Sequence, residues 1–96
     1  MLLLKRVMMA VLAKEGVDLP SERNGPVVRM VDEEIVREEF YARTAAEGTE
    51  DEKQKQRAQR FRRAVGRAEE KRLIDLREIK GTTYLWLLAA QPEDEF

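Results

Sequence analysis

The amino-acid pattern predicts a small α+β domain, on three observations. Apolar residues recur at helical spacing in three separate stretches. Two short β-branched or aromatic runs flank Lys80-Gly81 near the end of the chain, the mark of a tight hairpin. A third short run, 27–31, precedes the second helical stretch. The chain has 96 residues, enough for one compact domain. Apolar content of 43% allows one modest core, while 39% charged residues must sit largely on solvent-facing helix surfaces.

The elements follow in order. Leu3, Leu4, Val7, Met8, Val11 and Leu12 make one apolar stripe, with Lys14 in the last turn and Gly16 as a stop, so helix one spans 2–15. The leading leucines are interrupted by Lys5 and Arg6, and the stretch is too short to cross a bilayer. It reads as a buried helix, not a signal peptide or membrane anchor. Residues 17–26 carry Pro20, Ser21, Asn24, Gly25 and Pro26 and read as an irregular loop. Val27 to Val31 read as one brief strand. Asp32 then caps helix two, which runs to about 45 with Ile35, Val36 and Phe40 inward. Gly48 breaks the pattern. Thr49 and Glu52 form a capping box, and helix three runs over 50–71 with Ala58, Phe61, Val65 and Ala68 as its apolar stripe. Residues 73–79 and 82–88 are the two strands of the closing hairpin.

This order, helix-strand-helix-helix-strand-strand, predicts a winged helix-turn-helix: three helices with a small antiparallel sheet. The domain is expected over 1–89, followed by a flexible acidic tail over 90–96.

Charge is segregated along the chain although the net charge is only −1. Lys53 to Arg67 holds seven basic residues and no acidic one. Glu33, Glu34, Glu38 and Glu39 crowd helix two, and Glu93, Asp94 and Glu95 crowd the tail. Lys53, Arg57, Arg60, Arg63, Arg67 and Lys71 share one broad face of helix three, about a third of a turn from the apolar stripe. Gln54, Gln56 and Gln59 are interleaved. Guanidinium and amide groups at this spacing suit phosphates and base edges, so helix three is the expected recognition helix for double-stranded DNA. The alternative for such a face is plain solvation. The absence of acids argues against it, since a solubilising face mixes signs.

The expected DNA-binding residues are therefore Lys53, Gln56, Arg57, Arg60, Arg63 and Arg67, with Lys80 at the wing tip. Arg77, Thr82 and Thr83 are further wing residues, for which an ordinary hairpin role is the simpler reading. Tyr84 and Trp86 alternate on one strand, and Trp86 is expected in the core rather than stacked on a base. The glutamates of helix two are expected to be a solvated acidic face, not a metal site.

Cys and His are both absent, and Ser21 is the sole serine. No disulfide, thiolate metal site, imidazole base or activated nucleophile is available, and no phosphate loop is present. The expectation is a cytoplasmic binding module without enzymatic activity, cofactor or metal. The competing expectation is a protein-interaction or oligomerisation module, homodimeric for instance, without direct DNA contact.

Val31-Asp32-Glu33-Glu34-Ile35-Val36-Arg37-Glu38-Glu39-Phe40-Tyr41, then Phe61-Arg62-Arg63-Ala64 with Arg67-Ala68, then Leu73-Ile74, and finally Tyr84-Leu85-Trp86-Leu87 carry a resemblance. This pattern resembles the C-terminal winged-helix segment of RepA-like helicases and related AAA-type ATPases of plasmids, phages and bacterial chromosomes. The resemblance implies a role in DNA replication or mobile-element maintenance, and a helicase or ATPase as partner or parent domain. It implies either an excised domain or a free-standing relative. That family often places Gly before the Leu-Ile pair. Arg72 stands there in this chain, so a different helix exit is expected.

Overall fold

The computed structural model describes residues 2–88. Seven elements follow one another: α1 (Leu2–Glu15), β1 (Val17–Pro20), β2 (Val27–Asp32), α2 (Glu33–Arg43), α3 (Glu50–Glu70), β3 (Ile74–Ile79) and β4 (Thr82–Leu87). All four strands pair antiparallel, in the order β1-β2-β4-β3. The α+β class and the three helices match the sequence expectation. The element order does not, because residues 17–26 are not an irregular loop. Val17–Pro20 pairs with Val27–Met30 as a hairpin. Its turn is closed by the Ser21 N–H on the Pro26 carbonyl at 2.9 Å and the Gly25 N–H on the Glu22 carbonyl at 2.8 Å. Asn24 adopts φ 66° there, a conformation Asn tolerates better than most residues. The expected acidic tail, 90–96, lies outside the described residues, as does 89 at the expected end of the domain.

Helix boundaries follow from local chemistry. The Asp32 carboxylate accepts the Glu34 N–H at 2.9 Å and starts α2. α2 ends at Arg43 instead of 45, because the Thr44 N–H turns back to the Tyr41 carbonyl and Thr44 takes an extended conformation. The Thr49 hydroxyl accepts the Glu52 N–H at 3.3 Å and starts α3, with Glu50, Asp51 and Glu52 in the first turn against the helix dipole. Lys80 and Gly81 have φ of 51° and 84°, and Ile79 pairs directly with Thr82. That is the two-residue hairpin turn whose twist matches its strands.

The exit of α3 corrects an expectation. Arg72 takes φ 58°, its N–H bonds the Glu69 carbonyl at 3.0 Å, and the Leu73 N–H bonds the Ala68 carbonyl at 2.9 Å. These two bonds are the paired closure that a left-handed glycine normally provides. The exit is thus of the glycine type, made by an arginine in a strained conformation. Arg72→Gly is expected to stabilise the fold by roughly 0.5–1 kcal/mol, seen as a higher urea midpoint at unchanged slope. A lower midpoint would show that the Arg72 side chain outweighs its backbone strain.

The main core lies between the helices and one sheet face. Leu4, Val7, Met8 and Val11 of α1 meet Val36 and Phe40 of α2, Phe61, Val65 and Ala68 of α3, and Val31, Ile74 and Leu85 of the sheet. Ala64 is buried here too, outside the stripe read from the sequence, while Ala58 is only half-buried. Fully burying a side chain such as Leu4 or Leu85 contributes about 1.5–3 kcal/mol.

The other sheet face is also covered. Alternation from Val31 and Leu85 places Met30 and Trp86 on it, and both are buried. Arg77 shares this face and donates to the Pro20 carbonyl at 2.8 Å, which ties the end of β1 across it.

Candidate nucleic-acid interface

α3 is 21 residues long, and its core contacts leave two flanks. The first faces α1. Arg60, Arg63 and Arg67, all exposed, rim a cleft of about 310 Å³ whose floor is Leu3, Leu4, Phe40 and Ala64. The spacing of three and then four residues stacks the guanidinium groups along one line of the helix. The second flank faces α2. Arg62 and Arg37 share a shallower cleft with Glu33, Tyr41 and the Phe61 edge.

The residues expected from the sequence divide by role. Lys53 is half-buried and pairs with Glu50 at 3.6 Å. The Gln56 amide donates to the Glu47 carbonyl at 2.9 Å instead of lying free for a base edge. The Arg57 Nε donates to the Thr44 carbonyl at 3.3 Å, and Arg60 donates to the Ala45 carbonyl at 2.5 Å. These three side chains hold carbonyls of the loop between α2 and α3, and the positive charge of Arg57 and Arg60 suits the C-terminal end of α2. They fix how α3 is set on α2. Arg60 remains exposed while doing so. Arg63, Arg67 and Lys80 are exposed and enter no ion pair among the described residues.

Lys55 and Arg62 are in the same position, exposed and without an ion pair among the described residues, and the sequence reading omitted both. The signal for them was available: they stand seven residues apart on one flank of the helix. No acid of α2 forms an ion pair with α3 among the described residues. Glu34 pairs with Arg37 at 3.6 Å and Glu39 with Arg43 at 2.7 Å, both within α2.

The β3–β4 hairpin is less suited to phosphate than its sequence suggested. Gly81, Thr82 and Thr83 share a polar cleft with Asp32, Glu33, Glu34 and Arg37, where three carboxylates outnumber one guanidinium and disfavour anions. Arg77 is taken by Pro20. Lys80 is the cation left at the tip. Among the described residues no group of three or more His, Cys, Asp or Glu is placed to hold a metal ion, and no helix is long and apolar enough to cross a membrane.

No family model, curated protein or solved structure matches this chain.

Proposed function

We propose that the chain is a winged-helix module that binds double-stranded DNA through α3. One observation carries the reading: in a stretch of α3 without acids, Lys55, Arg60, Arg62, Arg63 and Arg67 are all exposed and free of ion pairs among the described residues. Guanidinium groups without a carboxylate partner suit phosphate binding, and Arg62, Arg63 and Arg67 remain when Gln56, Arg57 and Arg60 are assigned to holding the helices together. The pairing β2-β4-β3 behind the α2–α3 unit supports the winged-helix assignment. The absence of Cys and His from the sequence supports a binding role over an enzymatic one. A part in replication or mobile-element maintenance, beside a helicase or ATPase, rests on the resemblance of the Val31–Tyr41 and Phe61–Leu87 motifs alone.

The test is fluorescence anisotropy with labelled duplex DNA across a salt series. Binding at about 50 mM salt is expected, with the logarithm of affinity falling about 0.9 per log salt for each phosphate neutralised. No binding at that salt ends the proposal.

A second reading, a protein-interaction module, is favoured by the apolar floor of the α1-facing cleft. The rest of α1 offers little support for it. Met9 is 56% exposed, but the other large apolar residues from Leu3 to Leu12 are buried or half-buried. A stable dimer whose formation protects Arg60 and Arg63 would decide for this reading.

A further inference from the structure

We infer that the α1-facing flank of α3 is the docking site of the chain's own acidic segment, Glu93-Asp94-Glu95 with Phe96 beside it, which competes there with DNA. The inference rests on the reading of that flank as an anion site.

Three features of the molecule converge on it. The first is charge. Three exposed guanidinium groups, those of Arg60, Arg63 and Arg67, stand in a line without an ion pair among the described residues, and three consecutive carboxylates follow in the same chain. The second is chemistry beyond charge. The arginines rim an apolar floor of Leu3, Leu4, Phe40 and Ala64, which suits an aromatic ring, and Phe96 is next to the carboxylates. DNA phosphates would use the rim and leave the floor empty.

The third is reach. The Leu88 N–H bonds the Leu73 carbonyl at 3.0 Å, and the Leu73 N–H bonds the Ala68 carbonyl at 2.9 Å. The chain therefore leaves β4 beside the last turn of α3, one residue past Arg67 in that helix. Glu93 is five residues beyond Leu88, a span of up to about 17 Å. Arg60 lies eight residues back from Ala68, only about 12 Å along the helix axis. α1 packs against both α3 and β4, so the cleft and the exit of β4 border the same helix.

A tether this short gives the segment an effective concentration on the order of millimolar, sufficient for a weak ionic contact to be populated. The apparent affinity for DNA then falls by the fraction of flank left open.

The test uses the full chain. Because Cys is absent, Gln91→Cys carries one nitroxide at a unique position. At about 50 mM salt, where surface charges are weakly screened, and without DNA, the label is expected to broaden the amide signals of Leu3, Leu4, Arg60 and Ala64 beyond those that border the exit of β4. The triple variant Glu93→Gln, Asp94→Asn, Glu95→Gln with the same label is expected to lose that broadening. Uniform broadening, or broadening centred on Lys71 and Arg72, overturns the docking. So does broadening in a mixture of isotope-labelled and spin-labelled copies, which marks contact between molecules.

Without the label, the triple variant is expected to bind duplex DNA about threefold more tightly. Unchanged affinity despite local broadening overturns the competition. Local broadening in a chain that binds no DNA leaves the docking standing and removes the DNA reading. DNA binding without local broadening does the reverse.

Discussion

Replacing Arg63 and Arg67 together by glutamine is expected to weaken duplex DNA binding by about ten- to hundredfold near 0.1 M salt, since each charged hydrogen bond is worth roughly 1.5–3 kcal/mol before solvent screening reduces it. The slope of log affinity against log salt should fall by about one for each arginine removed. Thermal stability should hardly move, because both side chains are exposed and bonded to nothing among the described residues. Arg57→Ala supplies the contrast. It removes the donor to the Thr44 carbonyl and should lower stability by about 1 kcal/mol. Equal DNA affinity in the double variant and the parent chain would show that this flank of α3 does not meet phosphate.

Phe61→Ala is expected to cost about 3–5 kcal/mol of folding stability. Phe61 is 5% exposed, and its ring centroid lies 5.4 Å from that of Phe40 and 6.4 Å from that of Tyr41, both edge-on. Its removal opens a cavity where α2 and α3 meet and deletes two aromatic contacts at once. A domain of this size has only about 5–15 kcal/mol to lose, so partial unfolding at room temperature should be visible by circular dichroism. Phe61→Leu keeps most of the volume and should cost less, about 1–2 kcal/mol. A loss below about 1 kcal/mol for the alanine variant would place the mechanical centre of the fold elsewhere.

These two variants separate cleanly because the sequence itself distinguishes a buried stripe from a charged face on one helix. α1, the caps at Asp32 and Thr49 and the Lys80-Gly81 turn were all legible, since each depends on residues within four positions of one another. β1 was not. Val17-Asp18-Leu19-Pro20 is short, ends in proline and lacks a clear apolar alternation. Its pairing is set by closure of the turn over 21–26 and by Arg77, which is 57 residues away. Ala64 was missed for a similar reason, because the stripe of α3 widens only where α1 packs against it.

The candidate site was legible as a helix but not residue by residue. For Gln56, Arg57 and Arg60 the sequence shows their polarity and not their partners within the fold. Those partners, the carbonyls of Thr44, Ala45 and Glu47, exist as acceptors only because α2 stops at Arg43. The same uncertainty hid Lys55 and Arg62. They lie on the opposite flank from the residues that looked most regular.

The near-zero net charge of −1 conceals a separation of charge: the carboxylates Glu33, Glu34, Glu38 and Glu39 on α2, and an acid-free basic stretch from Lys53 to Arg67 on α3. In the field of a polyanion such a molecule feels almost no overall pull at long range, but it does feel a torque. Rotation precedes attraction, and molecules arrive with α3 already turned toward the source of the field. Reversing a few acids on α2 to lysine would raise the attraction while weakening the torque. Capture would become faster and orientation poorer, an exchange that net charge alone does not reveal.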